Sequence, residues 1–162
     1  MPTSSKNITT QAVFDRQGMD VLAALANRYY AHQMFAESLC VIEFVLRHEP
    51  AVPHYHRLMG KALQALKQHE QAVQSYSKAI RLGLPDADIH FFIGQCLLYL
   101  RDYAHADSAF ARCLQLAKSK SFKHAALIED AYELLNRSKA LQRKDKHHHK
   151  QIKDSHHGHG HP

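Results

Sequence analysis

Residues 53–86 read PHYHRLMGKALQALKQHEQAVQSYSKAIRLGLPD, and the same pattern returns 34 residues earlier and 34 residues later. Two columns of this repeat hold small residues, and a third column, four positions after the second, holds a large apolar residue. The columns are Ala26, Gly60 and Gly94; Ser38, Ala72 and Ala106; and Ile42, Tyr76 and Phe110. Because the spacing holds over three copies without a gap, the chain is predicted to contain three repeats, 19–52, 53–86 and 87–120.

Each repeat is predicted to form two helices that pack side by side. Small and apolar positions three and four residues apart lie on one face of a helix. A small residue in each helix allows close approach, and the large residue fills the space beside the contact. Pro50 and Pro85 fall near the ends of the second helices, where proline ends a helix at little cost.

A 34-residue period with small, small and large residues in these places resembles the tetratricopeptide repeat (TPR). The resemblance implies an all-α fold, an αα-superhelix (TPR solenoid) of three 34-residue repeats plus a C-terminal capping helix. Residues 121–143 have the apolar spacing of that capping helix, which would cover the last exposed apolar face of the solenoid. Residues 1–18 form an N-terminal segment with room for one short helix. Residues 144–162 are predicted to be a disordered, basic, histidine-rich tail.

The positive charge of the chain is concentrated near its end. The whole chain carries +6, whereas the residues from Arg137 onward contain seven Lys or Arg against two Asp, a net 7 − 2 = +5. The remaining body is nearly neutral, which argues against nucleic-acid binding by the folded domain. No apolar run is long enough to span a membrane, and the polar N-terminus predicts no secretory leader, so a cytoplasmic location is expected.

No catalytic motif is present in the sequence. There is no phosphate-binding glycine loop, no His-Glu-x-x-His, no Cys-x-x-Cys and no nucleophile elbow, so we expect a binding protein rather than an enzyme. The scattered cysteines do not form a disulfide framework. Cys96 and Cys113 occupy repeat positions that are normally buried, which favours a core role over a redox role.

The TPR resemblance also implies a binding groove. In this family the first helices of the repeats line the concave side of the solenoid, and their inward positions contact an extended peptide. Apolar and aromatic groups would take side chains of the peptide, and amides would bond its backbone. The alternative is that these residues only cover a solvated face. The residues predicted to line the groove are Asn27, Tyr30, Arg57, Lys61, Gln64, Phe91, Gln95, Leu98 and Tyr99.

Three stretches make the resemblance more specific. Residues 25–30 (LANRYY), 72–77 (AVQSYS) and 94–98 (GQCLL), the last followed by AHADSA at 104–109, are similar to the class II chaperones of bacterial type III secretion. Such chaperones keep hydrophobic translocator proteins soluble before export, and some dimerise through an N-terminal helix. The resemblance implies a cytoplasmic bacterial chaperone whose partner is a secreted translocator, with a homodimer as an open question. The alternative function is a TPR scaffold or assembly factor, such as a needle-subunit chaperone or a secretion or pilus accessory protein.

A histidine cluster near the C-terminus suggests a third function, metal handling. Clustered imidazoles bind Ni²⁺, Zn²⁺ or Cu²⁺ without a folded site. The opposing interpretation is a solubilising tail with incidental metal affinity, and no cofactor is expected in the folded domain. The candidate metal ligands are His147, His148, His149, His156, His157, His159 and His161.

Overall fold

The computed structural model describes residues 15–118 and 125–156, with side chains described as far as residue 148. These residues form seven helices and contain no strand, which confirms the predicted all-α fold. The described residues divide into two compact units, and the division falls between Pro85 and Asp86. The first unit contains α1 (Arg16–Ala31), α2 (Phe35–His48), α3 (Pro53–Ala65) and α4 (His69–Arg81). The second unit contains α5 (Ala87–Tyr99), α6 (Tyr103–Lys118) and α7 (Ala125–His156).

The helices pair as hairpins, α1 with α2, α3 with α4 and α5 with α6. The second helices of the three hairpins begin at Phe35, His69 and Tyr103, which are 34 residues apart. A turn of three residues joins the two helices of each hairpin, and so short a connection between packed helices makes them antiparallel.

The same turn geometry closes all three hairpins. In the first turn the N–H of Met34 donates to the carbonyl of Tyr29 at 2.9 Å, and the N–H of Gln33 donates to Tyr30 at 3.0 Å. This pair of bonds is the Schellman arrangement, which needs one residue in the left-handed region. That residue is not glycine in any of the three turns: Gln33 has φ 61°, Lys67 has φ 62° and Arg101 has φ 60°.

The small columns of the repeat lie where the two helices of a hairpin touch. A Cβ atom added to Gly60 would lie 2.6 Å from Cε1 of Tyr76, and one added to Gly94 would lie 2.6 Å from Cε1 of Phe110. In the first repeat the corresponding large residue is the smaller Ile42, and the corresponding small residue is Ala26. The size of the large residue therefore explains whether glycine or alanine stands opposite it.

One hydrophobic core cluster of the first unit lies between α1, α2 and the start of α3. Its buried members include Met19, Ile42 and Tyr55. The hydroxyl of Tyr55 on α3 donates a hydrogen bond to the carboxylate of Asp20 on α1. This bond ties the first helices of two successive hairpins together.

The core of the second unit is completed by α7. Ala131 of α7 is fully buried, and Ile128 and Leu135 pack against the same cluster as Phe110 of α6. The buried hydroxyl of Ser138 donates to the backbone carbonyl of Tyr103 at 3.3 Å, which fixes α7 against the start of α6. The first half of α7 thus covers the apolar face of the last hairpin, as expected of a capping helix.

The length of α7 differs from the prediction. The helix continues to His156, so disorder from residue 144 is not found in 144–156. Between Ala125 and His156 the sequence has no glycine or proline, and it is rich in Lys, Arg, Leu, Ala and Gln, which favour helix. At the other end, α1 begins at Arg16 after Asp15, whose carboxylate accepts from the N–H of Gly18 at 2.7 Å. The short helix considered before residue 15 lies outside the described residues.

Candidate functional site

The first unit places Tyr30 and Lys61 together. The Nζ atom of Lys61 on α3 lies 4.4 Å from the centroid of the Tyr30 ring on α1. The Tyr30 ring also lies 5.4 Å from the ring of Phe35, which holds it in place. A cation over an aromatic face is an attractive contact. The arrangement therefore presents a half-buried aromatic and cationic surface formed by two first helices.

The neighbouring polar side chains of this unit are partly engaged with the protein itself. The Oε1 atom of Gln64 accepts a hydrogen bond from the Tyr76 hydroxyl at 2.8 Å, which orients the amide. Asn27 is exposed, and Arg57 is half-buried. Burial and the hydrogen bond to Asp20 raise the pKa of Tyr55 to about 12, so this phenol stays protonated above the pH at which an ordinary tyrosine ionises.

The second unit contains a cavity between α5 and α7. Its volume is about 160 Å³. It is lined by Gln95, Leu98 and Tyr99 of α5 and by Leu134, Arg137 and Leu141 of α7. Tyr99 is 73% exposed, and Arg137 is exposed as well, so the cavity has a polar and aromatic rim over leucine walls.

One predicted groove residue is buried instead. Phe91 is only 7% exposed, and its ring lies 6.0 Å from both the Phe92 ring and the Phe110 ring. The expectation that Phe91 offers its side chain to a ligand is therefore corrected. Because Gly94 provides no side chain, Phe110 approaches α5 closely and the two phenylalanine rings meet edge to face in the core.

The α7 wall of the cavity was missed by the sequence analysis. The pattern of residues 121–143 predicted a capping helix, and that prediction treated Leu134 and Leu141 only as covering groups. The signal that points to a site is Arg137, which stands between these two leucines at helical spacing. A charged residue inside an apolar stripe indicates a surface that is not wholly used for packing.

Cys96 and Cys113 are buried in the core, whereas Cys40 is exposed. The thiols of Cys96 and Cys113 are fully buried, which confirms their predicted core position, and burial raises the pKa of Cys96 to about 12 and that of Cys113 to about 11. In the described part of the chain, no group of three or more His, Cys, Asp or Glu residues is placed to hold a metal ion. His147 and His148 are exposed on α7.

The other tail histidines are not tested by the structure. His149 and His156 lie in the part of α7 whose side chains are not described, and His157, His159 and His161 lie outside the described residues. Metal binding by the tail stays a prediction. Separately, none of the helices described in residues 15–118 and 125–156 combines the length and apolarity that a membrane crossing requires.

Comparison with known proteins gives matches in sequence and in fold. The tetratricopeptide repeat signature matches residues 55–82 and 87–120. PcrH of Pseudomonas aeruginosa, solved with the chaperone binding region of PopD, is similar with 24% identity and a TM-score of 0.73 over 79% of this chain and 96% of that one. The type III secretion chaperone SycD of Yersinia enterocolitica, solved with a peptide of the translocator YopD, is similar with 20% identity and a TM-score of 0.73. That match covers 79% of this chain and 97% of SycD.

A further SycD structure, described as an alternative dimer, is similar with 19% identity and a TM-score of 0.72, covering 79% of this chain and 96% of that one. At these identities the matches establish the fold, and the two repeat matches establish the motif. The predicted resemblance is thus confirmed at the level of fold. The chain contains tetratricopeptide repeats and has the fold of the type III secretion translocator chaperones to which it is similar.

Proposed function

We propose that this chain is a cytoplasmic bacterial chaperone that binds an extended segment of a secreted translocator-type protein. Binding keeps the partner soluble and unassembled before export. The chain acts by covering this segment of the partner, and it catalyses no reaction. This proposal combines a fold, a set of exposed binding groups and the complexes in which similar proteins have been solved.

The observation that carries the proposal is the similarity to two chaperones in complex with translocator segments. PcrH was solved with the chaperone binding region of PopD, and SycD was solved with a peptide of YopD. A further PcrH structure contains the chaperone binding region of PopB. The partner class proposed for this chain is taken from these complexes.

The chemistry of both units supports peptide binding. The first unit offers the aromatic ring of Tyr30 beside the ammonium of Lys61, together with the amide of Asn27. The second unit offers a cavity with leucine walls and an exposed tyrosine. Aromatic and apolar anchors typically provide most of the energy of a peptide interface, while polar groups fix its direction. Both kinds of group are present in each unit.

Occupancy is a sufficient mechanism for such a chaperone. A translocator must carry apolar segments to enter a membrane, and the same segments associate in water. Covering one of them removes the surface through which the partner would aggregate. Each buried apolar side chain contributes about 1.5–3 kcal/mol relative to exposure, and this gain opposes the cost of ordering an extended segment.

Two other properties are open to experiment. The alternative dimer of SycD makes a homodimer a reasonable state to test for this chain. A scaffold or assembly role remains the alternative function, and it is less favoured because the similar complexes contain translocator segments. No specific cofactor is proposed, and metal binding by the tail is treated as incidental.

The test is co-expression with candidate translocators from the same secretion locus. Leu98→Ala with Tyr99→Ala should remove two cavity anchors, so the complex should be lost and the partner should become insoluble. Tyr132→Ala is a matched control, because Tyr132 is also exposed on the second unit but does not line the cavity. Alanine at Gln74 and Lys78, both exposed on α4, provides a control on the first unit.

The proposal requires the cavity variant to stay folded and to lose the partner while the controls retain it. Circular dichroism checks the fold of each variant. If the Leu98 and Tyr99 variant retains the partner while the Gln74 and Lys78 variant loses it, the partner binds through the second helices of the hairpins and not through the cavity. Failure of the wild-type chain to solubilise any translocator would contradict the proposed function itself.

A further inference from the structure

The cavity of the second unit has one charged residue in its lining. Among the described residues that line it, three are leucines, two are the polar groups Gln95 and Tyr99, and Arg137 alone is charged. An apolar cavity of about 150 Å³ is large enough to accept a molecule the size of benzene. The volume of about 160 Å³ therefore suits one large aliphatic or aromatic side chain.

The charge at the rim continues along the same face of α7. Leu134, Arg137, Leu141, Lys144 and His148 are separated by three, four, three and four residues, so they form one stripe along the helix. Arg137, Lys144 and His148 are exposed, whereas the two leucines are half-buried. Lys144 lies seven residues beyond Arg137, about 10 Å further along the helix.

The surrounding charge is positive. Between residues 137 and 148 the sequence contains five Lys or Arg and one Asp, a net 5 − 1 = +4. The acid nearest to Arg137 in helical register is Glu133, and no ion pair joins these two side chains in the described structure. The guanidinium of Arg137 can therefore donate to a carboxylate that arrives with a ligand.

We propose that this cavity binds a large apolar side chain flanked by acidic residues in the partner segment. The apolar side chain enters between Leu98, Leu134 and Leu141. A neighbouring carboxylate accepts hydrogen bonds from Arg137, and a second carboxylate further along the segment lies near Lys144. The inference rests on the proposed function for the identity of the ligand as a partner segment, and it adds the chemical class of that segment.

The experiment uses the full chain and short peptides observed by NMR. The probe is Gly-Ser-Asp-Leu-Asp-Asp-Gly-Ser, acetylated and amidated at its ends. The first comparison peptide has Asn in place of each Asp, and the second has Ser in place of Leu. The acidic probe should shift the signals of Leu98, Leu134 and Leu141. The neutral peptide should bind more weakly, and the peptide without leucine should lose at least about tenfold in affinity, as expected for the loss of a buried apolar side chain.

Matched charge variants separate a specific contact from general attraction. Arg137→Gln should weaken the acidic probe about 1.4-fold to fivefold, the range for an exposed ion pair. Arg143→Gln removes the same charge from an exposed position of α7 outside the stripe and should have almost no effect. Arg137→Glu should invert the preference, so that a peptide with Lys in place of Asp binds better than the acidic probe.

Equal losses in the Arg137 and Arg143 variants, or equal binding of the acidic and neutral peptides, would overturn the inference. Leucine signals that do not shift with any peptide would overturn it as well. The outcome is distinguishable from failure of the proposed function. If the translocator is still solubilised by Arg137→Gln and the peptides show no charge preference, only this inference fails. If the peptide preferences are as stated but no translocator is captured, only the proposed function fails.

Discussion

Gly94→Ala tests the contact on which the repeat fold depends. The new Cβ atom would lie 2.6, 2.7 and 2.8 Å from three carbons of the Phe110 ring. Ordinary contacts of this kind begin near 3.4 Å, so the ring must retreat by about 0.8 Å. Phe110 is fully buried and its ring meets the ring of Phe91, which leaves little room to move.

The expected change in the free energy of unfolding is the difference between two opposing effects. Overpacking a core costs about 1–3 kcal/mol, and the rigid surroundings of Phe110 favour the upper part of this range. Replacing glycine by alanine inside a helix returns about 1 kcal/mol. The net expectation is a loss of about 1–2 kcal/mol in the free energy of unfolding, which lowers Tm by about 2–8 °C for a chain of this size.

The same substitution made in the Phe110→Ile variant tests whether contact with the Phe110 ring causes the loss of stability. In Phe110→Ile the large residue matches Ile42 of the first repeat, where alanine is already accommodated at position 26. Gly94→Ala should therefore stabilise this background by about 1 kcal/mol. Urea unfolding followed by circular dichroism at 222 nm measures all four proteins of the cycle. If Gly94→Ala stabilises both backgrounds equally, α5 and α6 do not meet at this point and the repeat assignment is wrong.

Three further expectations follow from the described residues. Ser38→Ala should raise the free energy of unfolding by about 1 kcal/mol, because the buried Ser38 hydroxyl has no hydrogen-bond partner; Ser75→Ala, which removes a hydroxyl bonded to the Gln71 carbonyl, should give no such gain. The pKa of Tyr55 is raised in the folded state, so the contribution of the protonated phenol to stability is complete below pH 10 and is lost between about pH 10 and 12. Between pH 9 and pH 11, the free energy of unfolding measured in urea should therefore fall less in Tyr55→Phe than in the wild type. Deletion of residues 146–162 should remove most Ni²⁺ binding measured by calorimetry and leave Tm nearly unchanged. Unchanged Ni²⁺ binding would show that histidines outside the tail bind the metal.

The sequence predicts the hairpin fold well because its strongest signal is steric. Gly60 lies against Tyr76 and Gly94 lies against Phe110, each within one hairpin. The glycines and the aromatic residues opposite them have the same 34-residue spacing. A repeat whose columns are explained by a helix contact specifies both the helices and their pairing.

Other features were not predictable from the same pattern. Phe91 stands at an inward position by family analogy, but it is buried in a core cluster with Phe110 of α6 and Ala131 of α7, which the repeat pattern does not bring together. Gln33, Lys67 and Arg101 have positive φ, although none of them is a glycine or asparagine, the residues that usually signal this conformation. The hairpin turns impose it. The cavity needs residues from α5 and α7, which are separated in sequence by a whole helix, so periodicity alone could not assemble it.

The end of α7 shows a different limit. A charged, histidine-containing stretch without apolar spacing predicted disorder after residue 143, because nothing in it could pack. Helix propensity does not require packing, and the absence of glycine and proline before Gly158 allows the helix to continue from its anchored half.

The proposed chaperone function requires this chain to bind a translocator-type segment and keep the translocator soluble. The most direct measurement is the fraction of a translocator from the same locus that remains soluble when it is expressed with and without this chain, followed by size-exclusion chromatography of the soluble material. If the chain is such a chaperone, the translocator is soluble only with the chain and elutes with it as one complex. A translocator that precipitates equally in both cases, or that is soluble yet elutes separately from the chain, would contradict the proposed chaperone function.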